Sequence, residues 1–160
     1  MWTLPGTSAL SSFRKAKLLA TLRESVPDAV SVDAEYVHFI ESTQALTADE
    51  RAKVQALLGD SAVTQVTGES FLVVPRIGTI SPWASKATNI ALNCGLSSVH
   101  RIERGTRFFV ALKGTYDAAT RERIARALHD PMTESVIDEN RAAELLFATQ
   151  APAPLSTVPL

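Results

Sequence analysis

Four polar side chains that can bind an anion lie between positions 76 and 86 of the chain. They are the guanidinium of Arg76, the hydroxyls of Thr79 and Ser81, and the ammonium of Lys86. Ser81 precedes Pro82, a pair typical of a helix start, because the Ser hydroxyl accepts from an unpaired N–H and Pro needs no donor there. The N–H groups at a helix N-terminus attract anions. We therefore predict that this segment is an interface or the edge of a substrate site.

Two other interpretations of the segment stay open. In the first, it holds the phosphates of a nucleotide, although the single glycine Gly78 is far from the glycine-rich patterns of nucleotide-binding loops. In the second, the segment is purely structural, with Arg76 paired to an acid and Trp83 filling the core.

Arg101, Glu103 and Arg104 form a second charged group, in a segment whose residues alternate as in a strand. The alternation puts Arg101 and Glu103 on one face and Arg104 on the other, with Ile102. An Arg101–Glu103 ion pair along the strand contributes little when it is exposed to solvent. The alternative is a docking contact, so Arg101 and Arg104 join the candidate interface residues.

Cys94 and the three histidines are the residues most able to do covalent or acid–base chemistry. Cys94 is expected on the apolar face of a helix, at its C-terminal end, where we predict a buried structural thiol rather than a nucleophile. His38 lies in an apolar strand, which favours a satisfied, partly buried side chain over a catalytic base. His100 and His129 have no converging partners at metal-ligand spacing. No catalytic, cofactor-binding or metal-binding residue is predicted.

The composition is that of an ordinary soluble globular protein, with 46% hydrophobic and 21% charged residues. The net charge of −1 argues against a general nucleic-acid-binding protein, and no apolar run is long enough to span a membrane. One cysteine and the lack of a secretory signal favour a cytoplasmic location. Between Arg76 and Arg126, nine basic residues oppose three acidic ones. They form either solvated helix faces or a basic surface for an acidic partner or a phosphorylated ligand.

The elements that position these residues alternate between strands and helices. Apolar residues at helical spacing follow Ser8, with Phe13 among those expected to face inward, and Thr47 begins a capping box. Gly105 and Thr106 are interpreted as the turn of a hairpin. The predicted strands are Trp2–Leu4, Tyr36–Ile40, Val63–Val66, Phe71–Val74, Val99–Glu103, Phe108–Leu112 and Glu134–Ile137. The predicted helices are Ser8–Ser25, Thr47–Leu58, Ser81–Cys94, Asp117–Leu128 and Asp138–Ala148.

This order predicts an α+β fold in which antiparallel sheets carry helices packed on one face. The domain is expected to span residues 1–149, in two pseudo-repeated halves at about 1–68 and 69–149. The last ten residues contain three prolines and no charge, so 150–160 is predicted to be a linker toward further domains.

Three segments of the chain carry a family resemblance. They are GTISPWASKATNIALNCGL followed by RIERG (78–105), LHDPMTESV (128–136) and AEYVHFIE (34–41). In these segments the chain resembles the N-terminal domain of the large, single-chain phosphoribosylformylglycinamidine synthases of purine biosynthesis, also called formylglycinamide ribonucleotide amidotransferases. The resemblance implies that the two halves are similar to a fused pair of the small subunit found in shorter forms of the enzyme.

For the whole enzyme, the resemblance implies a ligase that uses ATP, magnesium and glutamine to convert formylglycinamide ribonucleotide to its amidine. The family's glutaminase cysteine belongs to a separate C-terminal domain, so its role is not transferred to Cys94. The chain itself is expected to be a non-catalytic docking domain that joins the synthetase and glutaminase domains and helps seal the ammonia path. Two alternatives stay open: a free-standing binding module for a small phosphorylated metabolite, and an independent enzyme that uses His38 or Cys94.

Overall fold

Two strands of fourteen residues each lie at the centre of the sheet and pair with one another. The computed structural model describes residues 1–59 and 67–148. Its sheet has five antiparallel strands in the order β1-β2-β4-β3-β5. The strands are β1 (Trp2–Ser8), β2 (Ala29–Ser42), β3 (Glu69–Pro75), β4 (Val99–Leu112) and β5 (Glu134–Ile137). The predicted α+β class is confirmed, with all five strands in one sheet.

Each of the four longer helices begins with a side-chain cap, and the capping residue is the predicted one or lies within three positions of it. The helices are α1 (Ser12–Ser25), α2 (Ala48–Leu58), α3 (Pro82–Asn93), α4 (Ala118–Leu128) and α5 (Ala142–Leu146), the last preceded by a 3-10 turn at Glu139–Arg141. The capping box at Thr47 is confirmed, because Thr47 and Glu50 satisfy each other's backbone N–H. Ser81 caps α3 with Pro82 at its first position, and Asp117 caps α4.

Helices α1 to α4 cover one face of the sheet in two pairs. Leu22 of α1 and Ile124 of α4 pack on the half of that face formed by Phe108 and its neighbours. Val54 of α2 and Ala91 of α3 pack on the other half, against residues such as Ile40 and Ile102. Ala91 and Val54 are buried, and so are the strand residues beneath them. The buried apolar residues on this face therefore form two clusters, one under α1 and α4 and the other under α2 and α3. A gap lies between the two helix pairs.

The short α5 lies on the opposite face of the sheet. Ala142 and Leu146 pack there on Val37 and Phe39. Polar contacts also anchor this segment. Arg107 of β4 pairs with Glu35 and with Glu139 of the 3-10 turn. Arg101, nearer the start of β4, donates to the carbonyl of Leu146 at 3.2 Å.

The predicted hairpin at Gly105 is wrong, because β4 is one continuous strand. Its register with β2 runs without a break from Ala111 to Arg101, and Gly105 pairs with Val37. A partner strand of equal length makes the extended conformation favourable throughout. Gly105 instead marks a close approach, since a Cβ there would lie 3.0 Å from the carbonyl oxygen of Val73.

Two boundaries near the N-terminus also differ from prediction. β1 continues to Ser8 through Pro5 and Gly6, which an edge strand tolerates because one side has no hydrogen-bonded neighbour. The helix α1 is capped by Ser11, not by Ser8. The prediction that Phe13 faces inward is wrong: its side chain is 76% exposed, since it lies in the first turn of α1, before the residues that reach the sheet.

The order strand, helix, strand, helix occurs twice, at an interval of 70 residues. β4 begins 70 residues after β2, and α4 begins 70 residues after α2. Ser81 caps α3 at the same distance from Ser11, which caps α1. The halves at about 1–68 and 69–149, and their likeness to a fused dimer of a smaller subunit, stay predictions. The predicted strand Val63–Val66 and the linker 150–160 lie outside the described residues.

Candidate functional site

Glu103 lies at the centre of the charged residues that the sequence singled out. Its carboxylate is completely buried. Ser81 donates to Oε1 at 2.7 Å, and the guanidinium of Arg101 donates to Oε2 at 2.8 Å. The backbone N–H of Arg104 donates to Oε1 at 3.1 Å. The Arg101–Glu103 pair, one of the two interpretations from the sequence, is therefore present, and it forms away from solvent.

The helix N-terminus beside this network already faces an anion, and that anion is Glu103. The Ser81 hydroxyl accepts from the N–H of Ala84 at 3.0 Å while it donates to Glu103. Its donor and one of its acceptor positions are thus used within the protein. The carbonyl of Thr79 accepts from Arg101 at 2.9 Å. Thr79, Ser81 and Arg101 are brought together around a carboxylate of the same chain, an arrangement that does not fit a nucleotide cradle.

Arg104 points to the other face of the sheet, into the gap between the two helix pairs. Its guanidinium carbon lies 4.2 Å from the centre of the Tyr36 ring and 4.6 Å from that of Trp83, both within cation–π range. The three side chains line a cleft of about 270 Å³. The other lining residues are Val73, Val74, Pro75, Ser81, Thr106, Thr133 and Glu134.

His38 lies beneath this cleft and does not line it. Its ring stacks on Trp83, with centroids 5.6 Å apart, and only 4% of the residue is exposed. The pKa of His38 is lowered to about 4, chiefly by burial and also by the charge of Arg104, while a hydrogen bond with the Leu4 backbone opposes both. His38 is therefore neutral at pH 7. The prediction that it is fully satisfied is wrong, because Nδ1 is buried without a hydrogen-bond partner among the described residues.

Replacing His38 with phenylalanine should remove a pH dependence of stability. The folded pKa of about 4 lies below the unfolded value of 6.5, so the unfolded state binds more protons between these limits. His38 thus contributes stability that is present above pH 6.5 and is lost as pH falls through about 4, a change of about 3 kcal/mol. Urea unfolding across this range measures it. In His38→Phe, which keeps a ring beside Trp83, this loss should be absent, so the stability of the wild type relative to the variant should fall by about 3 kcal/mol as pH falls. A difference that does not change with pH would contradict the prediction.

Lys86 and Arg76 lie apart from the Glu103 network. Lys86 is exposed on α3 and lines a groove of about 330 Å³ between α2 and α3. The groove is otherwise apolar, and Leu57 and Ile90 at its rim are 43% and 44% exposed. Arg76 is exposed in the loop before α3, where its carbonyl accepts from Thr79. The structure therefore does not bring Lys86 and Ser81 to one anion, as the sequence suggested.

Cys94 contradicts its predicted burial. It is the C-cap residue of α3 and is exposed, because the helix face that packs on the sheet ends with Ala91. No group of three or more His, Cys, Asp or Glu in residues 1–59 and 67–148 is placed to hold a metal ion. Within the same ranges, no helix is both long and apolar enough to cross a bilayer.

The aromatic stack on Arg104 was not predicted. The sequence did indicate that Tyr36 and His38 share one strand face, and that Arg104 lies on the face of its own strand opposite Glu103. The missing information was the register: His38 pairs directly with Arg104, and Tyr36 with Thr106. Trp83 joins them from α3, 21 residues or more away from each in the sequence.

A comparison with known protein families identifies the family that the sequence segments at 34–41, 78–105 and 128–136 resemble. The model of the formylglycinamide ribonucleotide amidotransferase N-terminal family matches residues 35–147, which is more than half of the chain. The match includes β2 from Glu35 onward, all of β3 to β5, and every residue of the Glu103 network and the Arg104 cleft. The chain belongs to the N-terminal domain family of formylglycinamide ribonucleotide amidotransferase, an enzyme of purine biosynthesis.

Proposed function

We propose that this chain is a non-catalytic docking domain of a formylglycinamide ribonucleotide amidotransferase. In the whole enzyme, a cytoplasmic ligase, it would join the synthetase domain, which uses ATP and magnesium, to the glutaminase domain, which releases ammonia from glutamine. The product is the amidine of formylglycinamide ribonucleotide. The observation that carries this proposal is the open apolar groove between α2 and α3, whose partner we take to be these domains of the same polypeptide.

The groove has the composition of a protein interface. Its floor is formed by buried or partly buried apolar residues, among them Val54 and Ala91. Leu57 and Ile90 expose apolar surface at its rim, next to the charged Lys86. An apolar centre with a polar rim is typical of surfaces that bind another protein. A partner that covers this groove gains the free energy of removing Leu57 and Ile90 from water.

The framework beneath the groove is rigid, which favours docking without rearrangement. The start of α3 is fixed to the sheet by the bond from Ser81 to Glu103. Its middle is fixed by Thr88, whose hydroxyl accepts from the N–H of Ile102 at 3.0 Å. This bond also covers the edge of β4 that β3 does not pair, so this edge is not open to an added strand.

The same docking would help to keep water out of the ammonia path. Ammonia reacts as a neutral nucleophile, and it is lost if it is protonated or escapes into solvent between two active sites. Apolar surfaces pressed together at a domain boundary exclude water and leave no proton donor beside such a path. Within this proposal, the chain contributes a wall and no reacting group.

A charge placed in the groove tests the proposal. The double variant Leu57→Asp and Ile90→Asp puts two carboxylates where an apolar partner surface should lie, so affinity for the separately produced synthetase–glutaminase part should fall at least tenfold. Met132→Asp, at an exposed apolar residue outside the groove, is the matched control. Calorimetric titration gives the affinities. Equal affinity for the double variant and the control would exclude this groove as the docking surface.

The alternative of a free-standing module that binds a phosphorylated metabolite at the start of α3 has less support. The hydroxyl of Ser81 is engaged by Glu103, and Lys86 lies on the groove side of the helix. No observation on the described residues favours an independent enzyme that uses His38 or Cys94.

A further inference from the structure

Arg104 differs from the other two partly buried arginines of β4 in the partners of its guanidinium group. Arg101 pairs with Glu103, and Arg107 pairs with Glu35 and Glu139. The guanidinium of Arg104 has no carboxylate partner and no hydrogen bond to any residue in the described part of the chain. Both the Tyr36 and the Trp83 ring lie within cation–π distance of the guanidinium carbon, and a cation–π contact uses none of the N–H donors at the edge of the group.

The cleft beside that edge is large enough for a small ligand and has suitable polar groups. Its volume is about 270 Å³, several times the volume of one water molecule. The hydroxyl residues Thr106 and Thr133 line it together with Tyr36. Glu134 also lines it, and one of its carboxylate oxygens already accepts from the backbone N–H of Asp130 at 3.0 Å.

Two residues of the cleft, Arg104 and Trp83, have no similar residue one 70-residue interval earlier in the chain. At the 70-residue interval at which the order of elements recurs, Ala34 stands 70 residues before Arg104, and Phe13 stands 70 residues before Trp83. Ala34 is buried without charge, and Phe13 is exposed and covers nothing of this kind. The first half builds the same elements without an arginine between two rings. The Arg104 arrangement is therefore not needed to form a strand–helix–strand unit, which points to a role other than framework.

We propose that the Arg104 cleft binds the oxyanion group, a phosphate or a carboxylate, of a small ligand. The planar guanidinium presents parallel N–H donors that match two oxygens of such a group. Tyr36 and Trp83 hold the guanidinium in one orientation, so little rotamer freedom is lost on binding. The threonine hydroxyls of the cleft supply further donors. This binding is independent of the docking groove, which is lined by other residues of α2 and α3 apart from the shared Trp83.

Trp83 provides a direct signal for this binding, because its ring contacts the guanidinium whose charge the ligand would neutralise. The chain has two tryptophans, so Trp2→Phe leaves Trp83 as the sole indole. In this background the 160-residue chain is titrated with inorganic phosphate and, separately, with acetate, at an ionic strength held constant with sodium chloride. A saturable change in Trp83 emission is expected for at least one of the two anions. Saturation by phosphate identifies a tetrahedral group, and saturation by acetate a planar one.

Three variants assign the signal to Arg104. Arg104→Met should abolish saturation, and Arg104→Lys, which keeps the charge but loses the paired donors, should weaken binding about tenfold or more. Arg126→Met, at an exposed arginine on α4, should bind as the background does. Circular dichroism confirms that each variant is folded, and Arg104→Lys preserves the test should Arg104→Met unfold. The absence of saturation with both anions, or equal saturation in Arg104→Lys and the background, overturns the proposal and leaves the docking groove untouched.

Discussion

Replacing Glu103 with alanine is expected to lower the free energy of unfolding by about 3–5 kcal/mol, the usual effect of breaking a buried ion pair by removing one partner. The carboxylate is completely buried and has three hydrogen-bond donors, which come from Ser81, Arg101 and the backbone of Arg104. Without Glu103, Arg101 keeps its charge in a largely buried place, where two carbonyl oxygens and the ring of Phe147 are the partners left among the described residues. The uncompensated charge, more than the lost bonds, causes the destabilisation.

Thermal and urea unfolding measure this effect, and Glu122→Ala is the control. Glu122 also pairs with an arginine, Arg126, but both side chains are exposed on α4, so its loss should change stability by no more than about 0.5 kcal/mol. In a domain of this size each kcal/mol lowers Tm by about 2–4 °C. Should the two variants unfold at similar temperatures, Glu103 would have to be solvated, and the buried network would be incorrect.

Replacing Gly105 with proline should prevent stable folding, with a loss of about 3 kcal/mol or more. The N–H groups of a strand point alternately to its two neighbours. Those of Ile102 and Arg104 bond to Thr88 and Glu103, on the side away from β2. The N–H of Gly105 therefore points to Val37 of β2, its registered partner. Proline removes that donor in a central strand, where no water can replace it.

The control for this prediction is Ala118→Pro. Ala118 is the first residue of α4, where the N–H has no partner within the helix and proline is favoured, as Pro82 shows at the start of α3. Asp117 before it is already extended, as a residue preceding proline requires. Circular dichroism and size-exclusion chromatography compare the two variants. A folded Gly105→Pro protein would restore the hairpin interpretation, in which a turn at this position accepts proline.

Features that depend only on neighbouring residues in the sequence were predicted correctly. The capping box at Thr47, the cap at Ser81 and the helix ending at Leu128 depend on neighbouring residues in one turn of backbone, so they were predicted correctly. Gly105 was misinterpreted because glycine serves both turns and close approaches, and only the equal length of β2 distinguishes them. Phe13 was misplaced because α1 begins only at Ser12, so Phe13 lies in its first turn, before the residues that reach the sheet.

For the candidate sites too, features with a local cause were predicted and features that depend on tertiary packing were not. The faces occupied by Arg101, Glu103 and Arg104 were predicted from strand alternation, but their burial was not, since it depends on α5 covering one face and α3 the other. Lys86 was grouped with Ser81 by proximity in sequence, and the structure separates them because the side chain of Lys86 faces α2. Cys94 was assigned to the apolar stripe of α3, which ends one turn earlier.

The sequence by itself determined the α+β class, the family and most helix boundaries, because periodicity, capping residues and family segments are properties of short stretches of chain. Only the tertiary structure decided that Glu103 is buried, that Arg104 lies within cation–π distance of Tyr36 and Trp83, and that these three residues line one cleft. These facts depend on which residues of β2 and β4 lie opposite one another and on where α3 crosses them. Register and crossing are set by the packing of the whole sheet, and no local pattern records them.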